Sequence, residues 1–177
     1  DPGTGLLADS DSLHHLAQRP AEDAVEAPYI IRRGDYYYLF VSFDHCCQGV
    51  SSTYNIRVGR STSVTGPYRD RDGALMTLGG GSPVLRWYGT IRGPGHNSVL
   101  PFGDEFLLAH HYYDAQFNGT PTLQIRPLLW DDEGWPLAGL PYDGTAPGPP
   151  PADPDLAGEW GYWAGTDQAR RVEMQAG

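Results

Sequence analysis

Hydrophobic positions in this chain come in short runs divided by turn residues, and helix candidates are few. The run Tyr29-Ile30-Ile31-Arg32 is followed by Gly34-Asp35 and then by Tyr36-Tyr37-Tyr38-Leu39-Phe40-Val41-Ser42-Phe43. Two apolar runs across a two-residue turn containing Gly predict a β-hairpin of strands 29–32 and 36–43, although Asp-Gly is the usual order for a type I′ turn. Residues 44–53 read as a loop and 55–60 as a third strand. Gly66-Pro67-Tyr68 and 70–73 read as further turns. Before residue 25 the chain reads as an irregular opening segment, with a short strand or turn near Leu13 and Leu16.

The second half repeats this order. Residues 99–108 lie 69 positions after 30–39, residues 123–127 correspond to 56–60, and Gly134 stands 68 positions after Gly66. Each unit then holds about four short strands, a spacing that predicts β-propeller blades. Two hairpin-rich halves of a sandwich are the competing architecture. Two blades cannot close a ring, and each would leave an apolar face uncovered. The expectation is therefore that residues 1–141 are blades of a larger propeller domain. The remaining blades would come from a longer protein or from association of copies. Residues 142–177 form a Pro/Gly-rich tail with a possible terminal strand.

Composition supports an all-β, loop-rich protein. Of 177 residues, 23 are Gly, 16 Pro, 11 Tyr, 5 Trp and 5 Phe, and the aromatics suit strands. The formal net charge is −10 and all 12 basic residues are Arg. Without Lys, Schiff-base chemistry and a P-loop are excluded. An acidic chain without a basic stripe argues against a nucleic-acid partner. A neutral carbohydrate fits better, because polyols are held by carboxylates, hydroxyls and aromatic faces. The N-terminus, Asp1-Pro2-Gly3-Thr4-Gly5, does not read as a signal peptide, and no 18-residue apolar run suggests a membrane partner.

Candidate chemistry starts at Glu26, one acidic residue at the mouth of an apolar, aromatic strand pair. A carboxyl partly desolvated there is suited to proton donation near neutral pH, whereas a Glu just before a strand is ordinarily a solvated loop residue. Cys46 and Cys47 are adjacent, so they cannot staple distant segments and lack zinc-site spacing. They form either a vicinal disulfide or two buried thiols. His110 and His111 point to opposite faces of a strand, so at most one meets a site. Trp87-Tyr88 lies in an inter-blade loop, where it contacts a glycan or caps the core.

Several blocks in one register resemble the endo-arabinanases of family 43 of the glycoside hydrolases. They are Glu26-Ala27-Pro28-Tyr29-Ile30, the run 34–43, Cys46-Cys47 with Gly49, Val58-Gly59-Arg60-Ser61 and Thr65-Gly66-Pro67-Tyr68. Gly93-Pro94-Gly95-His96-Asn97-Ser98-Val99, His110 through Asp114 and Leu123-Gln124-Ile125-Arg126-Pro127-Leu128 continue the match. The resemblance implies a five-bladed propeller with its site in the central depression, of which residues 1–141 are the C-terminal blades. It also implies inverting hydrolysis of α-1,5-linked L-arabinan or arabino-oligosaccharides by three carboxylates, in a secreted, extracellular protein.

By that resemblance Glu26 is the general acid. The base and an orienting Asp lie upstream in blades this chain lacks. Asp1, Asp9, Asp11 and Asp23 do not have the surroundings of the family's base, and Asp35 and Asp104 belong to hairpin turns. His96 is implied to face the central channel and help hold a calcium ion whose other ligands are mostly water. A hydrogen-bonded core histidine is the plainer reading of His96. Phe43, Cys46 and Cys47 are candidates for the sugar-binding wall. Exo-acting relatives and a non-catalytic carbohydrate-binding fragment are the alternative functions.

Overall fold

The computed structural model describes residues 13–142 and the strands Gly158–Trp163 and Ala169–Met174. Two four-stranded antiparallel meanders make up most of it. The first contains β1 (Val25–Arg33), β2 (Tyr36–Phe43), β3 (Asn55–Ser61) and β4 (Ser82–Leu85), in that spatial order. The second contains β5 (Ile91–Phe102), β6 (Glu105–Asp114), β7 (Thr120–Trp130) and β8 (Pro136–Ala138), again in order. This is the blade pair that the repeat predicts. In the tail, β9 (Gly158–Trp163) and β10 (Ala169–Met174) pair antiparallel as a separate two-stranded sheet.

β2 and β3 span nearly the predicted residues, but β1 begins four positions before the predicted strand. Pro28 has no N–H to give to a ladder, which in sequence reads as a strand start. The chain accommodates it in a β-bulge: Val25 pairs with Phe43 and Glu26 with Ser42, the register shifts, and Tyr29 pairs with Phe40. The strand alternative near Leu13 and Leu16 is not realised, since 13–19 is irregular. Packing holds this segment in place, with Leu16 and Ala17 against a core cluster and Gln18 N–H donating to Met76 O at 2.9 Å.

The continuous apolar run of β2 has a simple explanation: both faces of the strand are covered. Tyr38 and Phe40 join Ile31, Ile56, Val58 and Leu85 against Val99, Leu108 and Leu128 of the second sheet and Trp135 just before β8. The alternate residues Leu39, Val41 and Phe43 pack with Tyr68 and Met76 on the opposite face. Phe40 is fully buried, and truncating it to Ala should cost roughly 3–5 kcal/mol.

At the hairpin-turn end, polar contacts fasten the two sheets. Tyr38 Oη donates to Gly134 O at 2.6 Å, and Arg60 reaches Glu133 O at 2.7 Å with its guanidinium over the Trp135 ring. Arg71 pairs with Asp131. The opposite end, where β1 opens, is left to the candidate site.

Candidate active site

Ala27 and His96 occupy the same place in the two repeats, 69 positions apart, and both are non-glycine residues with positive φ, 51° and 54°. Each lies at a register shift in the first strand of its sheet. An L-residue in that conformation costs on the order of 1–3 kcal/mol and persists where the surroundings impose it, often at functional sites. The two bulges are joined through Ser42. Its backbone pairs with Glu26, and its Oγ accepts the His96 backbone N–H at 2.8 Å.

The Gly93-Pro94-Gly95-His96 block owes its composition to what lies behind it. A Cβ on Gly95 would stand 2.0 Å from the Tyr54 ring, and one on Gly93 would stand 2.5 Å from Ser52 Cβ. Gly93 also has φ of +48°. Only glycine lets β5 lie flat against Tyr54, so the ring slides under the bulge. The Tyr54 hydroxyl faces Glu26, Ser42 and the His96 backbone but is without a hydrogen bond of good geometry. Burial, then the neighbouring Glu26, pushes that phenol above its ordinary range. Among the described residues the other unpaired buried polar side-chain atoms are the two amide atoms of Asn97, next to His96. Buried polar atoms without partners are rare enough to mark this spot.

A second histidine completes the cluster. The His111 ring lies 5.8 Å from Tyr54, 6.4 Å from His96 and 5.3 Å from Tyr113, centroid to centroid. Burial and then His96 lower its pKa, with Glu26 opposing. Cys47 N–H donates to Tyr113 Oη at 2.7 Å, and that oxygen lies 3.3 Å from His111 Nε2. His110, one residue away, faces elsewhere. It is buried, its Nδ1 lies 3.0 Å from His111 O, and its Nε2 receives a hydrogen bond from Arg126. Opposite facing of the pair matches the strand-alternation expectation.

Two sequence expectations need correction. Glu26 is solvent-exposed instead of partly desolvated, because no described element packs over its side of β1. Phe43 is 2% exposed, with Leu39, Val41, Tyr68 and Met76 around it and the Arg19 guanidinium over its ring. It supports the loop after β2 from below and is not an open sugar platform. Of the alternatives for Cys46 and Cys47, the structure shows the vicinal disulfide, with Cys47 exposed at φ 68°. Ser42, Tyr54 and Tyr113 were missed in sequence. Ser42 had no usable signal either, since the register of Tyr29–Arg33 extrapolates Glu26 onto Phe43 and only the bulge moves it to Ser42.

A family model described as glycosyl hydrolases family 43 matches residues 7–136. The extracellular exo-α-(1→5)-L-arabinofuranosidase ArbA of Cellvibrio japonicus is 47% identical over 112 residues, 63% of this chain and 32% of its own. The extracellular endo-α-(1→5)-L-arabinanase 1 of Bacillus subtilis is 45% identical over 126 residues, 71% of this chain and 38% of its own. In structure, the family 43 endo-arabinanase of Bacillus licheniformis superposes with a TM-score of 0.67 at 50% identity, covering 71% of this chain and 43% of that one. The endo-1,5-α-L-arabinanase of Thermotoga petrophila gives 0.77 at 25% identity, covering 99% and 45%. The chain thus spans about a third of the length of these curated relatives. It belongs to family 43 of the glycosyl hydrolases, and its two meanders are blades of that family's β-propeller.

Proposed function

We propose that this chain carries the proton-donor side of an active site that hydrolyses α-1,5-linked L-arabinan. The observation that supports this most directly is the convergence of Glu26 and His96, through equivalent bulges, on one cluster with Tyr54 and His111. In the proposed reaction Glu26 protonates the departing glycosidic oxygen while a base on the opposite face of the sugar activates water. Inversion needs those two carboxyls roughly 6.5–9.5 Å apart.

This chain offers no suitable base among its described residues. Asp35 and Asp104 sit in hairpin turns at the far end of the blades, and Asp23 is in the exposed turn before β1. Asp44 is engaged by Arg19 and Asn55. The base and the residue that orients the acid are assigned to N-terminal blades in a partner chain or a longer protein. On this reading the Cys46–Cys47 turn forms part of the sugar wall, since it is anchored to Tyr113 and stands beside the cluster. Extracellular action is proposed because both relatives are named as extracellular.

The calcium ion implied by family resemblance is not well matched by these residues alone. Calcium takes six to eight oxygen ligands, and His96 offers a nitrogen. No group of three His, Cys, Asp or Glu able to hold a metal occurs among the described residues. No step of the proposed reaction runs through a metal.

The test is reducing-sugar release from linear α-1,5-arabinan by this chain, alone and mixed with the N-terminal blades of the Bacillus licheniformis enzyme. Release is expected in the mixture only. Glu26→Gln should lower it by roughly 100- to 10,000-fold, the usual contribution of a general acid. Full activity of that variant would sink the assignment. A non-catalytic, arabinan-binding fragment is the second reading, favoured by the exposure of Glu26. It predicts binding of arabino-oligosaccharide that ignores Glu26→Gln and no release in either sample.

A further inference from the structure

A groove of about 480 Å³ opens at the Glu26 end of the first sheet, and no residue of the Glu26–His96 cluster lines it. Its walls come from the segment before β1, the loop after β2, strand β3, the connection from β4 to β5 and the start of β5. Four arginines line it: Arg19, Arg57, Arg86 and Arg92. Asp44 is the one carboxylate among the lining residues. A chain of net charge −10 therefore gathers a third of its 12 arginines in one recess.

The guanidinium groups of Arg19, Arg57 and Arg92 are held in position. Asp44 binds Arg19 Nε at 2.7 Å and Asn55 Nδ2 at 2.8 Å, and Asn55 Oδ1 accepts Arg57 Nε at 2.6 Å. Arg57 also donates to Gly81 O at 3.2 Å. Arg92 donates to Gly89 O and lies 5.1 Å over the Trp87 ring, which is 59% exposed. Fixed, planar guanidiniums recognise carboxylates through paired N–H bonds, and an indole face suits the C–H surface of a sugar.

We propose that this groove binds carboxylate-bearing sugars, that is, uronate residues of an acidic polysaccharide. The proposal rests on the glycan-acting reading above and extends it: an acidic protein repels a polyanion, and this recess supplies the local field that overcomes the repulsion. A neutral arabinan chain and a charged glycan would then be held on the same face of the blades at separate places.

The test is calorimetric titration of the 177-residue chain with a galacturonate trisaccharide, its methyl ester, arabinotriose and sodium sulfate, all at one ionic strength. The free-acid trisaccharide should bind, and more weakly as salt rises. Its affinity should fall at least tenfold in Arg92→Gln and in Trp87→Ala, with thermal unfolding confirming that both variants fold. Glu26→Gln should leave it unchanged. Equal binding of the methyl ester or of sulfate would overturn carboxylate-sugar recognition, as would no binding of the acid or full binding by both groove variants. Binding of uronate without binding of arabinotriose would uphold the groove and count against the arabinan reading alone.

Discussion

His110 and His111 are the same residue type at consecutive positions, and the pleat of β6 sends them into opposite surroundings. His111 faces Tyr54 and His96, while His110 is sealed against Arg126. Burial lowers the His110 pKa to about 4, with the nearby Arg126 charge adding to the effect. The folded state thus holds His110 neutral, and its pKa lies below the unfolded value near 6.5. The stability tied to this residue is complete above the unfolded pKa and is lost as pH falls from about 6.5 towards 4. A shift of that size corresponds to about 3 kcal/mol at most. The midpoint of urea unfolding should hold steady from pH 8 to 7 and drop below 6.5, with a shallower drop in His110→Gln. An equal drop in that variant would assign the pH dependence to other groups. Glu26 and His96 were legible as candidates because each sits in a short motif. Tyr54 and Tyr113 were not, since what marks them is contact with distant residues, Glu26 and His96 for Tyr54 and Cys47 for Tyr113.

Strands β1 and β5 show how an element is shaped by what packs behind it. Both bulge at the same repeat position, although one carries Glu26-Ala27-Pro28 and the other Gly95-His96-Asn97. Adding a methyl group at Gly95 would drive Tyr54 out of its place under the bulge. Gly95→Ala is expected to destabilise the fold by roughly 1–3 kcal/mol, the usual cost of overpacking. Combining it with Tyr54→Val should recover part of that loss relative to the sum of the single changes. Strict additivity in thermal unfolding would show that Tyr54 is not what the glycine accommodates. Alternation and turn residues made β2 and β3 readable almost to the residue. The start of β1 was missed because Pro28 reads as a boundary until a bulge is available to hold it.

At the scale of the whole molecule the two sheets are unequal. The first is covered on its outer side by Leu16 and Ala17. The second has Leu100, Phe102, Leu123, Ile125 and Leu129 exposed, and strand parity places all five on the face away from its core residues Val99 and Leu128. An apolar face of this kind is expected to be buried against a partner. Light scattering should report a concentration-dependent mass above the 19.4 kDa of one chain. Leu123→Gln with Leu129→Gln should move it towards the monomer. A monomer at every concentration would show that this face tolerates water.

Local pattern was enough to determine the all-β class, the 69-residue repeat, the blade-like meanders and the place of Glu26, and family resemblance added His96. Turn residues and alternation act over a few neighbours, so a linear reading captures them. The tertiary structure alone decided that Ser42 joins the two bulges, that Tyr54 sits beneath them, and that Phe43 belongs to the core. It also brought Arg19 and Arg92, 73 positions apart, into one groove. These outcomes depend on which faces of two sheets meet, a matter of packing between distant segments that no short window of sequence contains.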